Sequence, residues 1–272
     1  MKIQLVTNEK IAETSSKGNQ EKWFDNGKWY KLDQFGYEAL SESLISRLLE
    51  NSNIETETPF RYVRYTPERL IVHSHERTVC VSDNFLNDGE SIITLNHLLS
   101  RMLGFPLKDK LLSLPSDKKR IAYLAGATAE YTGLKDFGKY LCLLFEIDSL
   151  FLNDDRHLNN IAVLERDGKF DYCPIFDNGA ALLSNVQIMP MDIAPKALIS
   201  TLRARPFMSS FTRQMNAARA LYGNQLSVPM LTKAEIIEHL NPLLEFYPKR
   251  DRGLILDRVV ECIISRQRYF AD

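Results

Sequence analysis

The chain has 272 residues, 44% of them hydrophobic and 25% charged, which suits one large core or two lobes of a soluble globular protein. A formal net charge of −1 carries no sign of a nucleic-acid or membrane-surface partner, and no run of about 18 apolar residues is present to span a bilayer. Four scattered cysteines (Cys80, Cys142, Cys173, Cys262) with no CxxC pair read as free thiols in a reducing cytosol; with no apolar signal-peptide core in MKIQLVTNEK, a cytoplasmic location is expected.

Residues 2–7 alternate like a strand, and residues 8–21 are polar and read as a loop. Asp25-Asn26-Gly27 lies between Lys22-Trp23-Phe24 and Lys28-Trp29-Tyr30-Lys31-Leu32, and Asn-Gly between alternating aromatics predicts a β-hairpin. Trp29 and Lys31 share one face of its second strand. A lysine there can reach a cleft and neutralise the α- and β-phosphates of a nucleotide. A helix is predicted over 37–50, where Leu40, Leu44 and Leu48 recur with Ile45 and Leu49 beside them. Glu38 and Glu42 lie four apart on that helix and are both candidate ion-pair partners of Lys31. Taken alone, Lys31 reads more simply as an exposed strand lysine, with both glutamates solvated. Just before the hairpin, Gly18 and small residues let backbone N–H groups turn toward phosphate oxygens, with Lys17 or Lys22 adding charge. By composition this segment is simply a turn, and its placement gives it weight. Residues 60–66 and 77–83 read as strands, and Val81-Ser82-Asp83-Asn84-Phe85 is placed to meet an adenine edge. His73-Ser74-His75 has no partner cluster for a metal.

Beyond residue 88 the chain turns helical. Helices are predicted over 91–103, 116–132 (with Gly133 as its stop) and 137–151, the last apolar on most faces and therefore buried. A polar loop, 152–160, follows. Residues 161–164 and 169–176 read as strands joined by Asp167-Gly168. An irregular stretch with Pro190, Pro195 and Pro206 leads to helices over 207–222, 232–240 and 249–268, the middle one opened by the capping box Thr232-Lys233-Ala234-Glu235. The fold class is α+β: a small β-rich lobe over 1–88, a larger helical lobe over 89–272 and chemistry at the join, the plan of a protein kinase.

The loop and the hairpin after it carry the chemistry. Asp155 stands five residues before Asn160, and Asp177 two residues before Gly179. Phosphoryl transfer from ATP needs one carboxylate to orient the attacking hydroxyl, and an Asn and a second carboxylate to hold Mg²⁺. Asp155 fits the first role, and Asn160 with Asp177 the second. Mg²⁺ takes few protein ligands, all oxygen, so two short side chains suffice. Each part alone reads more simply as a solvated turn, and a calcium loop is excluded by ligand spacing and the missing mid-loop Gly.

Gly18-Asn19-Gln20-Glu21-Lys22 resembles the GxQxK phosphate loop of the HipA-like kinases. Tyr37-Glu38-Ala39-Leu40-Ser41-Glu42, Asp155-Arg156-His157-Leu158-Asn159-Asn160 and Asp177-Asn178-Gly179 look like further blocks of that lineage, in its compact form typified by CtkA. The DRHxxN order also resembles phosphoinositide kinases. The resemblance runs from about residue 14 to 180. It implies a two-lobed kinase fold and ATP- and Mg²⁺-dependent serine/threonine phosphorylation of a protein substrate. It implies Asp155 as catalytic base, Asn160 and Asp177 as metal ligands and Lys31 as the phosphate lysine. His157 either polarises the transferred group or holds the loop. Ser15 and Ser16 occupy the place where family members autophosphorylate. The chain departs from protein kinases in lacking His-Arg-Asp and Ala-Pro-Glu triplets. Nothing resembles a helix-turn-helix reader, so no direct nucleic-acid contact is expected and a DNA-binding antitoxin partner is not indicated. Two alternatives stand beside a protein kinase (a toxin or effector among its settings): a small-molecule or lipid phosphotransferase of the same fold, and a silent binding module. No Lys or Arg lies between Asp177 and Pro195, which counts against inositol lipids. The intact Lys31, Asp155, Asn160 and Asp177 set counts against silence.

Overall fold

The computed structural model describes residues 20–270. The strand expected over 2–7, Ser15, Ser16, Lys17, Gly18 and Asn19 lie outside the described residues.

The first hairpin forms as its turn chemistry requires. Strands β1 (Lys22–Asp25) and β2 (Lys28–Leu32) are joined by Asn26 at φ 47° and Gly27 at φ 78°, the left-handed pair of a twist-matched two-residue turn. With β3 (Thr66–Val72) and β4 (His75–Asp83) they make an antiparallel sheet in the order β1-β2-β4-β3. Alternation divides its residues. Trp23, Tyr30, Leu32, Val72, Val79 and Val81 bury one another on one face, with Trp23 and Tyr30 stacked at 5.4 Å. The other face carries Lys31 opposite Cys80 and Trp29 opposite Ser82.

Helix α1 (Glu38–Leu49) packs on that second face, and all of it except Arg47 is buried. Its residues Leu40, Leu44, Ile45 and Leu48 belong to the same hydrophobic core as the helices that follow. A single turn, α2 (Ile54–Glu57), comes next. The strand expected at 60–66 does not form there: Tyr62 makes an isolated parallel bridge to Ile175, and regular pairing starts at Thr66. Val63 and Ile175 take each other's neighbourhood hydrogen bonds, at 2.9 Å for Val63 N to Ile175 O and 2.7 Å for Ile175 N to Arg61 O, so this apolar run serves a cross-connection instead of the sheet.

The helix expected from Ser91 begins four residues later. Ser91–Thr94 is strand β5, paired with β6 (Ala162–Arg166), because Ile92 and Ile93 sit opposite Leu164 and Val163. Thr94 then caps α3 (Leu95–Leu103) by accepting the His97 N–H. Helices α4 (Leu107–Leu112), α5 (Asp117–Thr132) and α6 (Phe137–Phe151) follow. Ser116 caps α5 and Gly133, at φ 77°, ends it. All of α6 except Lys139 is buried. Strand β7 (Lys169–Tyr172) returns along β6 through Asp167 and Gly168, at φ 53° and 76°. It ends at Tyr172, short of the expected Phe176.

Helices α7 (Pro195–Thr201), α8 (Phe211–Tyr222), α9 (Lys233–Leu244) and α10 (Lys249–Gln267) complete the helical region. The Thr232/Glu235 capping box is present, with both reciprocal hydrogen bonds. α9 runs past residue 240 and carries Pro242 inside it. Among the described residues no helix is long and apolar enough to cross a membrane, and all four cysteines are buried free thiols.

Two glycines separate packing from propensity. Gly36 bridges Asn185, and a Cβ there would overlap the Ser184 carbonyl oxygen. Gly126 lies on an exposed side of α5 with nothing near its would-be Cβ. Gly36→Ala is expected to lose roughly 1–3 kcal/mol by overpacking, whereas Gly126→Ala gains up to about 1 kcal/mol from helix propensity. Urea unfolding of both variants checks the opposite signs.

Candidate active site

Lys31 is the hub of the site. Its ammonium lies 2.8 Å from Glu42 Oε1 and 2.9 Å from Asp177 Oδ1, joining β2, α1 and the segment after β7. It also sits 5.2 Å from the centroid of the Tyr65 ring. Burial alone would drive Lys31 toward neutrality; Asp177 and then Glu42 reverse this and hold its pKa well above the ordinary lysine value. Burial would likewise raise Asp177, but the adjacent Lys31 outweighs it and holds the carboxyl at about 2. Glu42 is raised by its own burial, against the pull of Lys31.

Of the two glutamates, Glu42 makes the pair. Its second oxygen accepts the Asn178 N–H at 2.9 Å. Glu38 turns back on its own helix start and accepts the N–H groups of Phe35 and Gly36 at 2.7 and 2.9 Å. Lys22 lines the same cavity; burial and then the like charge of Lys31 lower it to about 8. Gln20 lines it too and donates to the Leu32 carbonyl at 2.9 Å.

The loop after α6 is held by a residue the sequence reading did not single out. Arg156 is fully buried. Its guanidinium donates to both oxygens of Asp148 on α6 at 3.0–3.2 Å, to Asn178 Oδ1 at 2.7 Å, to Asn160 O at 3.3 Å and to the Phe176 carbonyl. Asn153 adds a second tie: its amide donates to Asp148 Oδ1 at 3.1 Å and to Asp177 O at 3.2 Å, while its oxygen accepts the Asp155 N–H. One planar fork and one amide thus lock 155–160 to 176–178. An Asp on a mostly apolar helix, eight residues before an Arg, was the available sequence signal.

Asp155, Asn160 and Asp177 all line this cavity. Burial raises Asp155, while His157 and Arg205 oppose the rise. Arg205 Nη1 is 2.8 Å from Asp155 Oδ1. His157 is lowered, first by burial; its Nδ1 accepts the Asn159 N–H at 3.3 Å, and it stands beside Asp155 without lining the cavity. Asn160 Nδ2 donates to the Asp155 carbonyl at 3.3 Å, whereas its buried Oδ1 has no partner. A buried oxygen without a donor is costly unless something else satisfies it. With the Asp177 carboxylate on the same cavity, the oxygen donor set suits a hard divalent cation such as Mg²⁺. Asp177 itself is held at φ 65°, a left-handed conformation rare for a non-glycine residue. No cluster of three or more His, Cys, Asp or Glu side chains suited to a metal is present among the described residues.

The cavity encloses about 360 Å³, within the range of small-molecule sites. Besides its charged groups it is lined by Tyr65, Phe85, Leu86, Ile92 and Phe176. Phe85 and Phe176 face each other at 6.4 Å. Of the segment expected to meet an adenine, Ser82, Asn84 and Phe85 line the cavity, and Val81 and Asp83 do not. Val81 is buried on the opposite sheet face with Trp23 and Tyr30, and Asp83 is exposed; the intervening Ser82 and the following Asn84 face the cavity, as strand alternation demands.

The fold is kinase-like. The structure superposes on the Helicobacter pylori proinflammatory kinase CtkA with a TM-score of 0.52 at 12% identity, covering 93% of this chain and 96% of that one. It also matches a chain of the Shewanella oneidensis MR-1 toxin–antitoxin complex of HipA, HipB and operator DNA, with a TM-score of 0.51 at 13% identity over 95% of this chain and 65% of the other. No family model matches the chain, and no curated protein matches it in sequence.

The Arg156–Asp148 pair makes a measurable demand on stability. Arg156→Met strands a buried carboxylate and is expected to cost about 3–5 kcal/mol. The double variant Arg156→Met/Asp148→Leu is expected to lose less than the single one. A double-mutant cycle by chemical denaturation checks this, and additive losses would refute the coupling.

Proposed function

We propose that this chain is an ATP- and Mg²⁺-dependent phosphotransferase acting on serine or threonine hydroxyls of a protein substrate. The observation that carries the reading is the meeting in one cavity of Lys31, held by its pair with Glu42, with Asp177, Asp155 and Asn160, whose side-chain oxygen has no partner. The kinase fold supports it.

In this reading the aromatic and aliphatic lining takes the base, and Lys31 and Lys22 face phosphate oxygens. Glu42 and Asp177 keep Lys31 charged and aimed. Asn160 Oδ1 and the Asp177 carboxylate would hold Mg²⁺, which when bound draws charge off the phosphate oxygens. Asp155 receives the proton of the attacking hydroxyl. Its raised pKa suits that task, because a carboxylate made a stronger base by burial accepts a proton more readily. Arg156 and Asn153 fix the loop on which Asp155 and Asn160 ride. Autophosphorylation of Ser15 or Ser16 is a further proposal from the resemblance, read directly by intact mass after incubation with ATP.

Asp177→Ala is expected to abolish Mg²⁺-dependent stabilisation by nucleotide, which in the parent protein amounts to about 2.7 kcal/mol at a hundredfold excess over Kd. Asp155→Ala keeps that stabilisation and loses roughly 10²–10⁴-fold in turnover. Thermal shift and phosphate release together distinguish the two roles; equal loss of binding in both variants would overturn the assignment.

The pH dependence of binding follows from Lys22. Before nucleotide binds, Lys22, lowered to about 8, loses its charge above that pH, and an adjacent triphosphate favours its charged form. Affinity is therefore expected to fall as pH rises through 8, with proton uptake on binding. Calorimetry in buffers of different ionisation enthalpy measures the uptake, and Lys22→Met is expected to remove it.

A further inference from the structure

A second cavity of about 270 Å³ shares Asp155, Ala180 and Asn185 with the first. The two meet at the carboxylate proposed as the base. Its other walls are apolar, cationic and, at Asp154, acidic. Leu183, Met189 and Leu202 give an apolar floor, and Ile188 and Met208 stand at 66% and 62% exposure on its rim. Arg203 and Arg205 supply positive charge. Among the described residues, Arg203 donates to the carbonyls of Thr201 and Leu202, close by in the chain. Arg205 is paired with Asp155, and both side chains are about half exposed, at 49% and 48%. An exposed pair of this kind is worth little and exchanges readily for another anion.

We infer that this second cavity is the acceptor subsite, and that it takes a polypeptide segment in which the phosphorylated Ser or Thr is flanked by one apolar and one acidic side chain. The inference rests on the phosphotransferase reading and deepens it. The cavity is smaller than the roughly 300 Å³ at which drug-sized sites begin, so it suits a side chain of a longer segment better than a whole small-molecule substrate. Arg205 is set against Asp155 and Asp154, so Arg203 is the cation on this wall that favours an acidic side chain over a basic one. An acidic residue in the segment draws Arg205 away from Asp155, and the apolar residue settles against Leu183 and Leu202. The acceptor hydroxyl then faces a freed carboxylate. Its oxygen forms a bond to Pγ of ATP, the bond from Pγ to the β,γ-bridging oxygen breaks with its electron pair leaving on ADP, and the hydroxyl proton passes to Asp155.

The test compares three synthetic peptides carrying one Ser: flanked by Leu and Glu, by Leu and Lys, or by Gln on both sides. Phosphate transfer from Mg²⁺-ATP gives kcat and KM, and fluorescence anisotropy gives peptide binding independently of turnover. The Leu/Glu peptide is expected to bind and react best. Arg203→Glu is expected to raise its KM roughly three- to tenfold and to make the Leu/Lys peptide the preferred one. Met208→Glu, on the exposed rim, is expected to weaken both Leu-containing peptides. Stabilisation by Mg²⁺-ATP is expected to be unchanged in both variants, which shows that the fold and the nucleotide site are intact. Equal KM for the Leu/Glu and Leu/Lys peptides, no preference reversal in Arg203→Glu, or transfer confined to small hydroxyl compounds would each overturn the subsite. If the parent protein shows no stabilisation by Mg²⁺-ATP, the phosphotransferase reading itself fails and the acceptor subsite falls with it.

Discussion

Everything at the centre of this molecule depends on keeping one ammonium group charged away from water. Lys31 has two carboxylates within 3 Å, and without them burial would strip its proton. The arrangement carries one positive and two negative charges at a largely buried point, so it is not a device for stability, since apolar side chains would fill the space at lower desolvation cost. Its use is positional. It draws β2, α1 and the segment around Asp177 to a single locus, and the net negative charge left over is what a divalent cation would balance.

A second fork supports the first from behind. Arg156 lies on the far side of the 176–178 segment from solvent, and its five donors are spread over Asp148, Asn160, Asn178 and the Phe176 carbonyl. Asn178 also donates its N–H to Glu42. The two charge clusters are therefore linked through one short stretch of chain, and Asp177 is held in its left-handed backbone conformation between them. A displacement of either cluster is felt by the other.

Local chemistry was the legible part of the sequence. Asn26-Gly27, Asp167-Gly168, the Thr232 capping box and the Gly133 stop act through neighbours a few residues away, and each formed where its residue types demanded. What depended on distant partners was not legible. Ile92 and Ile93 look helical in line with Leu95 and Leu98, and become a strand because β6 is there to pair with. Phe60 to Tyr65, rich in aromatic and β-branched residues, reads as a sheet strand and is captured by Ile175 instead. Glu38 and Glu42 are equivalent by spacing, and only the chain reversal at Phe35-Gly36 gives Glu38 other work. Within the cavity the charged residues stood out, whereas Tyr65, Leu86, Ile92 and Phe176 are indistinguishable from core in one dimension. Arg205 comes from a stretch with no periodicity at all.

Burial of α1 on both sides has a dynamic consequence. The helix is clamped between the sheet and α9, with Leu40, Leu44, Ile45 and Leu48 in the shared core, and withdrawing each of them would cost about 1.5–3 kcal/mol. A swing of α1 that pulls Glu42 from Lys31 is thus a high-energy excursion, rarely populated at ambient temperature. The Glu42 side of the site behaves as permanent masonry. Thermal mobility that admits and releases ligands must be drawn from elements with fewer apolar anchors, such as the solvent-facing edges of the sheet and the stretch between Asn185 and Ser210.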